Sequence, residues 1–330
     1  NINLKKTNKE YENKLFYSYD IVGNSPNIMN IKEKIKKFSV SESRVFINGP
    51  TGSGKELIAR KIHKESKRQK GPFVTLNGAL LDIEKYELEL FGEEKENGYI
   101  SYGALEKATS GILLIDEVSE IPLETQSKIL RVLIDQKFKR INGAHDINVN
   151  VRIICSSSKN IKKEIELGNF REDLYHRLNV FEINVDSLTK RVSDIPLLVE
   201  YFSEKISLNY NLKKLDINGN DEYLLKYNWP GNVRELRNLI ERIAILSPDT
   251  KNKISNIIKE SLKTSDYDES SAENPLSTTL KGARENFEKE YLTTQLKKFN
   301  GNISKTANFI GMERSALHRK LKVLGIKELN

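Results

Sequence analysis

Gly49-Pro50-Thr51-Gly52-Ser53-Gly54-Lys55 places three glycines ahead of a lysine, directly after the apolar run Arg44-Val45-Phe46-Ile47. Glycines let a backbone wrap closely around phosphates with its N–H groups turned inward, and Lys55 would neutralise the β- and γ-phosphates of a nucleotide. A helix predicted from near Glu56 would add the positive end of its dipole. A Ser or Thr usually follows such a lysine and binds magnesium; Glu56 stands there instead, so Mg²⁺ would depend on other carboxylates. Asp116-Glu117, closing the apolar run Ile112-Leu113-Leu114-Ile115, offers them. With this run buried beside the first, Asp116 would stand at the carboxyl edge as the metal ligand, and Glu117 could polarise an attacking water. Phosphoryl transfer needs positioning and charge neutralisation more than covalent help. Taken singly, a glycine-rich turn and two acids at a strand end are ordinary features. Together they predict Mg²⁺-dependent binding of ATP through Gly49–Lys55.

The elements that must position these groups follow from the hydrophobic pattern. Further short apolar runs, Phe73-Val74-Thr75-Leu76 and Val151-Arg152-Ile153-Ile154, alternate with helical patterns. Such alternation predicts an α/β domain at 19–185 with a mostly parallel sheet covered on both faces. Over 186–263 the period changes. Ile195, Leu198, Val199 and Phe202, then Leu236, Leu239, Ile240 and Ile243, recur at helical spacing, and a small helical subdomain is expected. Residues 1–18 and 264–279 are polar and read as linkers.

Residues 280–330 are helical again. Phe287, Tyr291, Leu292, Leu296 and Phe299 form the apolar set of one helix, ended by Asn300-Gly301-Asn302. A short helix Ser304–Ile310, a turn at Gly311-Met312 and a last helix Glu313–Leu324, closed by Gly325, complete a helix-turn-helix. Leu317, Leu321 and Leu324 line the inner face of the last helix. Arg314, Ser315, His318, Arg319 and Lys322 fall outward, where they could contact DNA. Of the chain's formal charge of +8, the last fifty residues carry eleven Lys/Arg against five Asp/Glu. A basic module of this kind suits double-stranded DNA; a three-helix bundle that only dimerises is the alternative.

Composition narrows the setting. The sequence is 38% hydrophobic and 30% charged, and no run approaches the length of a membrane-spanning helix, about 18 apolar residues. The start, Asn1-Ile2-Asn3-Leu4-Lys5-Lys6, lacks the apolar core of a signal peptide. A single cysteine, Cys155, fits a reducing cytoplasm, and no Cys/His spacing suggests structural zinc.

The stretch from Ile21 to about Leu246 resembles the AAA+ domain of bacterial enhancer-binding proteins, the NtrC-like response regulators. The resemblance rests on GPTGSGKELIARKIH at 49–63, ELFGEEK at 89–95, ILLIDEVSEIPLETQSKILRVL at 112–133, FREDLYHRLNVFEI at 170–183 and WPGNVRELRNLIER at 229–242. Residues 283–326 resemble the Fis-type helix-turn-helix that closes the same proteins. In that family a Glu follows the P-loop lysine, so Glu56 is ordinary there. The resemblance implies that Ile21, Val22 and Leu57 join the P-loop around the nucleotide and that Arg234 acts as the second sensor. It further implies that Asn77 holds the catalytic Glu117 in a resting pose and that Ser157 and Ser158 occupy the first-sensor position. Arg171 and Arg177 match arginine fingers, which would reach ATP bound by a neighbouring subunit in a ring. The Fis-type domain implies a dimer on a palindromic site.

Family members that open promoters with the sigma-54 form of RNA polymerase carry GAFTGA after the ELFG segment. Here Phe91-Gly92-Glu93-Glu94-Lys95-Glu96-Asn97-Gly98-Tyr99 lacks it, and the segment is about four residues shorter. Lys95–Gly98 reads as a plain turn. This pattern is similar to the NtrX branch, and it implies a regulator that works without sigma-54. Two alternatives stay open: a competent sigma-54 ATPase with a divergent loop, and a AAA+ protein remodeller with a DNA-binding tail. Since the chain begins at Asn1 rather than Met, 1–18 is expected to lead from a missing receiver domain, the target of a cognate histidine kinase.

Overall fold

The computed structural model describes residues 20–81, 85–96, 98–210, 212, 215–246, 251–263, 288–289, 291–293, 295–296, 298–299 and 301–324. The expected linkers at 1–18 and 264–279 lie outside these, as do Asn97, Phe287, Asn300 and Gly325. Five strands form one parallel sheet: β1 Val45–Asn48, β2 Phe73–Asn77, β5 Ile112–Asp116, β8 Arg152–Ser157 and β9 Phe181–Asn184, in the order β2-β5-β8-β1-β9. β3 Gly92–Glu94 with β4 Ile100–Tyr102, and β6 Lys137–Lys139 with β7 Asp146–Asn148, are antiparallel hairpins.

The apolar runs are continuous because both faces of the sheet are buried, and alternate residues go to opposite cores. Phe46, Leu113, Ile115, Ile153 and Cys155 face one core with Ile129 and Leu133 of helix Leu123–Asp135 and Leu174 and Leu178 of helix Glu172–Leu178. Val45, Ile47, Ile112, Leu114, Ile154 and Ile183 face the other, under helices Pro26–Ser39 and Lys55–Glu65. Cys155 is buried, and burial pushes its thiol well above the usual range.

The strand edges differ from the sequence expectation by one to three residues. Arg44 and Val151 precede their strands, and β8 runs past Cys155 to Ser157. Hydrophobicity marks the buried middle of a strand, whereas its polar end is held by backbone pairing, here Asn48 opposite Ser157. The P-loop helix begins at Lys55, one residue before Glu56.

Helices Ile195–Asn209 and Asn232–Leu246 pack together through the residues expected, with Leu236, Leu239, Ile240 and Ile243 buried; Phe202 is only partly buried. Trp229, 1% exposed, sits at the turn before the second of these helices, packs edge-on to Tyr227 and donates Nε1–H to the Leu224 carbonyl at 2.9 Å.

The chain divides into two compact units, Asn1–Lys259 and Glu260–Asn330. In the second, Leu292, Leu296, Ala307, Leu317 and Leu321 form a small core. Helix Ile303–Ile310 starts one residue earlier than expected because the Asn302 side chain accepts from Lys305 N at 3.1 Å. It ends at Gly311, whose φ of 72° is the left-handed conformation that closes a helix without steric cost. The last helix is Arg314–Val323, with Glu313 as its N-cap rather than its first residue. Tyr291, expected in the apolar set, is 40% exposed.

Candidate nucleotide site and DNA-binding surface

The sheet register brings the chemical residues to one edge. Asn77 pairs with Asp116 and Asn48 with Ser157, so β1, β2, β5 and β8 all end at the carboxyl edge, where open α/β sheets bind ligands. The P-loop leaves β1 there, and Gly49 N donates to Ser157 O at 3.2 Å. Lys55 is 6% exposed; its ammonium donates to Gly49 O at 2.9 Å and lies 3.0 Å from Glu117 Oε1. The other Glu117 oxygen accepts from the N–H and hydroxyl of Ser158, at 2.8 and 2.7 Å. Burial alone would raise the Glu117 carboxyl, but the hydrogen bonds from Ser158 and from Lys55 outweigh it and hold it below its ordinary value. Glu117 is also one of the non-glycine residues at positive φ, 53°, a conformation that persists only where its surroundings enforce it. Asp116 accepts from the Ser156 hydroxyl.

The helical subdomain closes the site from the other side. Arg234 N donates to Gly52 O at 3.2 Å and the Asn232 amide to Thr51 O at 3.0 Å. Gly52 has φ 75°, and a Cβ there would lie 2.2 Å from Gly231 O, so only glycine permits this approach. Arg191, 3% exposed, donates to Ser53 O at 3.0 Å; burial lowers the pKa of its guanidinium, partly offset by Asp194 and Asp186. Asp194 accepts from Asn24 N, Ser25 N and the Ser25 hydroxyl at 2.7, 2.8 and 2.6 Å, tying the start of the domain to the lid. Between them lies a cavity of about 630 Å³ with apolar walls from Ile21, Val22, Leu57, Leu198 and Phe202. That is the size of a nucleotide pocket.

This architecture recurs in known proteins. The chain is 45% identical over 316 residues to the nitrogen assimilation regulatory protein NtrX of Azorhizobium caulinodans, covering 93% of this chain and 69% of that one. It belongs to the NtrX family. A putative NtrX-like response regulator of Rickettsia typhi is 44% identical, over 98% of this chain and 70% of its own length. The crystal structure of NtrX from Brucella abortus in complex with ATP matches with a TM-score of 0.75 at 42% identity, over 98% of this chain and 73% of that one. The families matched along this NtrX-family chain are the Sigma-54 interaction domain at 21–184, the AAA+ ATPase lid domain at 189–274 and the Fis family of bacterial regulatory proteins at 283–324. The lid match ends inside the stretch 264–279 read as linker. The chain is thus an NtrC-like two-component regulator with an ATP-binding AAA+ domain and a Fis-type DNA-binding domain.

In this NtrX-family chain, Ile21, Val22, Thr51, Gly52, Ser53, Gly54, Lys55, Glu56, Leu57, Asn77, Asp116, Glu117, Ser158 and Arg234 all line the one cavity. Gly49 and Pro50 do not; their carbonyls hold Lys55 from behind. Ser157 is absent from the lining as well. Because β8 continues to it, its hydroxyl is fully buried against Ser119 and the Lys159 carbonyl. Asn77 does not hold Glu117 here. Its Oδ1 accepts from Ala79 N at 2.9 Å, and Ser158 and Lys55 take the carboxylate instead. Arg191, Asn232 and Asp194 escaped the sequence reading. Asn232 stands inside WPGNVRELRNLIER at 229–242, and Asn tolerates the φ of 53° found there; Arg191, in Thr189-Lys190-Arg191, looks like any surface cation.

Arg171 and Arg177 lie outside the cavity. The Arg171 guanidinium binds Asp173 through Nε and Nη2, at 3.0 and 2.7 Å, and donates to the Ser127 hydroxyl at 3.2 Å. Arg177 is exposed, and its guanidinium has no hydrogen-bond or ion-pair partner among the described residues. Its main-chain carbonyl accepts from Arg44 at 2.9 Å. On the last helix Arg314, Ser315, His318, Arg319 and Lys322 are all exposed, while Leu317 and Leu321 turn inward.

Proposed function

We propose that this chain hydrolyses Mg²⁺-ATP in an assembled ring and uses the cycle to control transcription from DNA gripped by its C-terminal helices. The observation that carries this reading is the convergence of Lys55, Glu117 and Arg234 on one cavity between P-loop and lid. Among the described residues no cluster of three or more His, Cys, Asp or Glu side chains could hold a metal ion unaided. Asp116, oriented by Ser156, suits a Mg²⁺ that takes its remaining oxygens from phosphates and water, the usual habit of that ion. Such an ion would neutralise charge on the phosphates. Lys55 would leave Glu117 for the β- and γ-phosphates, and Glu117, held ionised, would orient a water. Ser158, rather than Ser157, would then serve as first sensor, with Arg234 sensing from the lid.

Arg177, exposed on helix Glu172–Leu178, and Arg171 at its N-cap would act on the neighbouring subunit's ATP. Hydrolysis per mole should therefore rise with protein concentration. Mixing Arg177→Ala with Lys55→Ala protein should restore activity that neither has alone; no restoration in any ratio would refute hydrolysis in trans.

The hairpin of β3 and β4 supports the reading that sigma-54 is not the target. Each strand has three residues, Lys95 N donates to Tyr99 O at 2.9 Å across the turn, and the base is fastened to the next hairpin by Ile141 N to Gly92 O and Glu94 N to Ile141 O, both 3.0 Å. A loop shorter by about four residues loses about 7 Å of reach. Open complexes on a sigma-54 promoter, dependent on Lys55, would overturn this point and restore the sigma-54 ATPase.

The remaining partners follow from the family: RNA polymerase, a palindromic DNA site read by a dimer, and a histidine kinase acting on a receiver domain. No helix among the described residues is long and apolar enough to cross a membrane, and the proposed setting is the cytoplasm.

A further inference from the structure

Gln126 lies in the first turn of helix Leu123–Asp135 and is fully buried, an unusual place for a primary amide. Every polar group of its side chain is engaged. Nε2 donates to Ile121 O at 2.8 Å and to Asn169 O at 3.0 Å, and Oε1 accepts from Arg171 N at 2.9 Å. The partners fix the orientation, since two carbonyls face the NH₂ and an N–H faces the oxygen.

What these three bonds join is informative. Ile121 is the C-cap of the short helical turn Val118–Glu120, which starts directly after Glu117. Asn169 and Arg171 bracket Phe170, and Arg171 is the N-cap of the helix that carries Arg177. The Arg171 N–H lies at a helix start that has no side-chain cap of its own, and Gln126 satisfies it from outside. The neighbouring Ser127 hydroxyl receives the Arg171 guanidinium. Two consecutive side chains of one helical turn thus hold the main chain and the side chain of the same arginine.

We infer that Gln126 is a positioning residue that sets the arginine segment relative to the Asp116–Glu117 turn, so that a change at the nucleotide in one subunit alters the arginines offered to the next. The inference rests on the proposed hydrolysis in trans. Only three residues separate Glu117 from the carbonyl that Gln126 grips, so a shift of the Glu117 turn moves the amide, and the amide moves Asn169 and Arg171. No side-chain atom of Gln126 needs to touch nucleotide.

The test uses the full chain and two mixing partners, Lys55→Ala and Arg177→Ala. Gln126→Leu fills the space but makes none of the three bonds. Its affinity for ATP should stay within about twofold of wild type, while kcat falls by roughly 10–100-fold, as for a catalytic group displaced by about an ångström. Mixed with Lys55→Ala, Gln126→Leu should recover hydrolysis, because its own site is intact and its neighbour supplies well-placed arginines. Mixed with Arg177→Ala it should not recover, because neither protein presents a working arginine. The reverse pattern, recovery with Arg177→Ala and none with Lys55→Ala, would place the defect in the variant's own nucleotide site and overturn the inference, as would a large loss of ATP affinity. The mixture of Arg177→Ala with Lys55→Ala is the control: if that pair fails to recover, it is hydrolysis in trans that fails. Gln126→Glu provides the second variant should the Leu protein not fold. Facing two carbonyls, its carboxyl would be held protonated and keep one donor and the acceptor for Arg171 N. Its activity should lie between wild type and Leu and decline as pH rises and the proton is lost; an activity indifferent to pH and equal to wild type would also overturn the inference.

Discussion

The nucleotide cleft and the last helix carry the chain's two chemistries in opposite states of preparation. In the cleft, Lys55 is bonded to Glu117 and Gly49 O, Glu117 to Ser158 and Asp116 to Ser156. On Arg314–Val323, the outward residues Arg314, His318, Arg319 and Lys322 lie exposed on one surface. A small, highly charged ligand demands a cage built in advance, because misplacement by an ångström is costly. A polymer offers many phosphates, and exposed cations can adjust to them one at a time. Substitutions in the cleft should therefore act abruptly, and those on the helix by degrees.

The largest effect is expected from Glu117→Gln. It keeps the shape and loses the charge that would orient water, so kcat should fall by about 10²–10⁴ with ATP still bound. Steady-state hydrolysis beside equilibrium binding checks this, and a Gln protein that hydrolyses normally would mean the cleft is not pre-set for chemistry. Lys55→Ala comes next. Charge-assisted hydrogen bonds contribute about 1.5–3 kcal/mol each, so ATP affinity should drop by roughly 10–100-fold or more. Titration with a fluorescent ATP analogue measures it, and unchanged affinity would remove the lysine from the phosphate site.

On the helix, Arg319→Ala should weaken every DNA sequence alike and reduce the slope of log affinity against log salt by about 1, if it holds a phosphate. Arg314→Ala and His318→Ala should instead relax sequence preference, each by about 1–3 kcal/mol at one position, if they reach base edges. Abolition of all binding by any one of them would contradict the graded behaviour. The smallest effect concerns pH. The folded structure holds the Glu117 carboxyl below its ordinary value of 4.5, so its ionised form stabilises the fold. That contribution is complete above 4.5 and is lost as pH falls through the lower, folded value. Melting temperatures of wild type and Glu117→Gln should therefore converge as the pH is lowered through that window, and a constant gap would show that the Lys55–Glu117–Ser158 contacts are not set by that charge.

What the sequence disclosed follows the same division. The P-loop, Asp116-Glu117 and the helix-turn-helix were legible because each is a local string whose chemistry needs its neighbours in the chain. Arg191, Asn232 and Gln126 were not, since the partners that give them a role lie as far as 138, 181 and 45 residues away. Periodicity counts a buried, fully bonded Gln126 as a polar residue and assigns it no role. Ser157 and Ser158 are adjacent and identical in type, and only the length of β8 decides that one is sealed in the sheet and the other opens on the cavity. Asn77 closes β2 directly after the apolar run Phe73–Leu76, but which neighbour its amide bonds depends on the turn that follows, which no local string reveals.

Trp229 is the sole tryptophan of the sequence. Its indole is sealed from solvent beside Tyr227, two positions before the Gly231 carbonyl that touches the P-loop. The molecule therefore has a built-in optical probe at the seam between lid and P-loop. Its emission spectrum can follow that seam as nucleotide enters and leaves, with no dye attached and no background from a second indole.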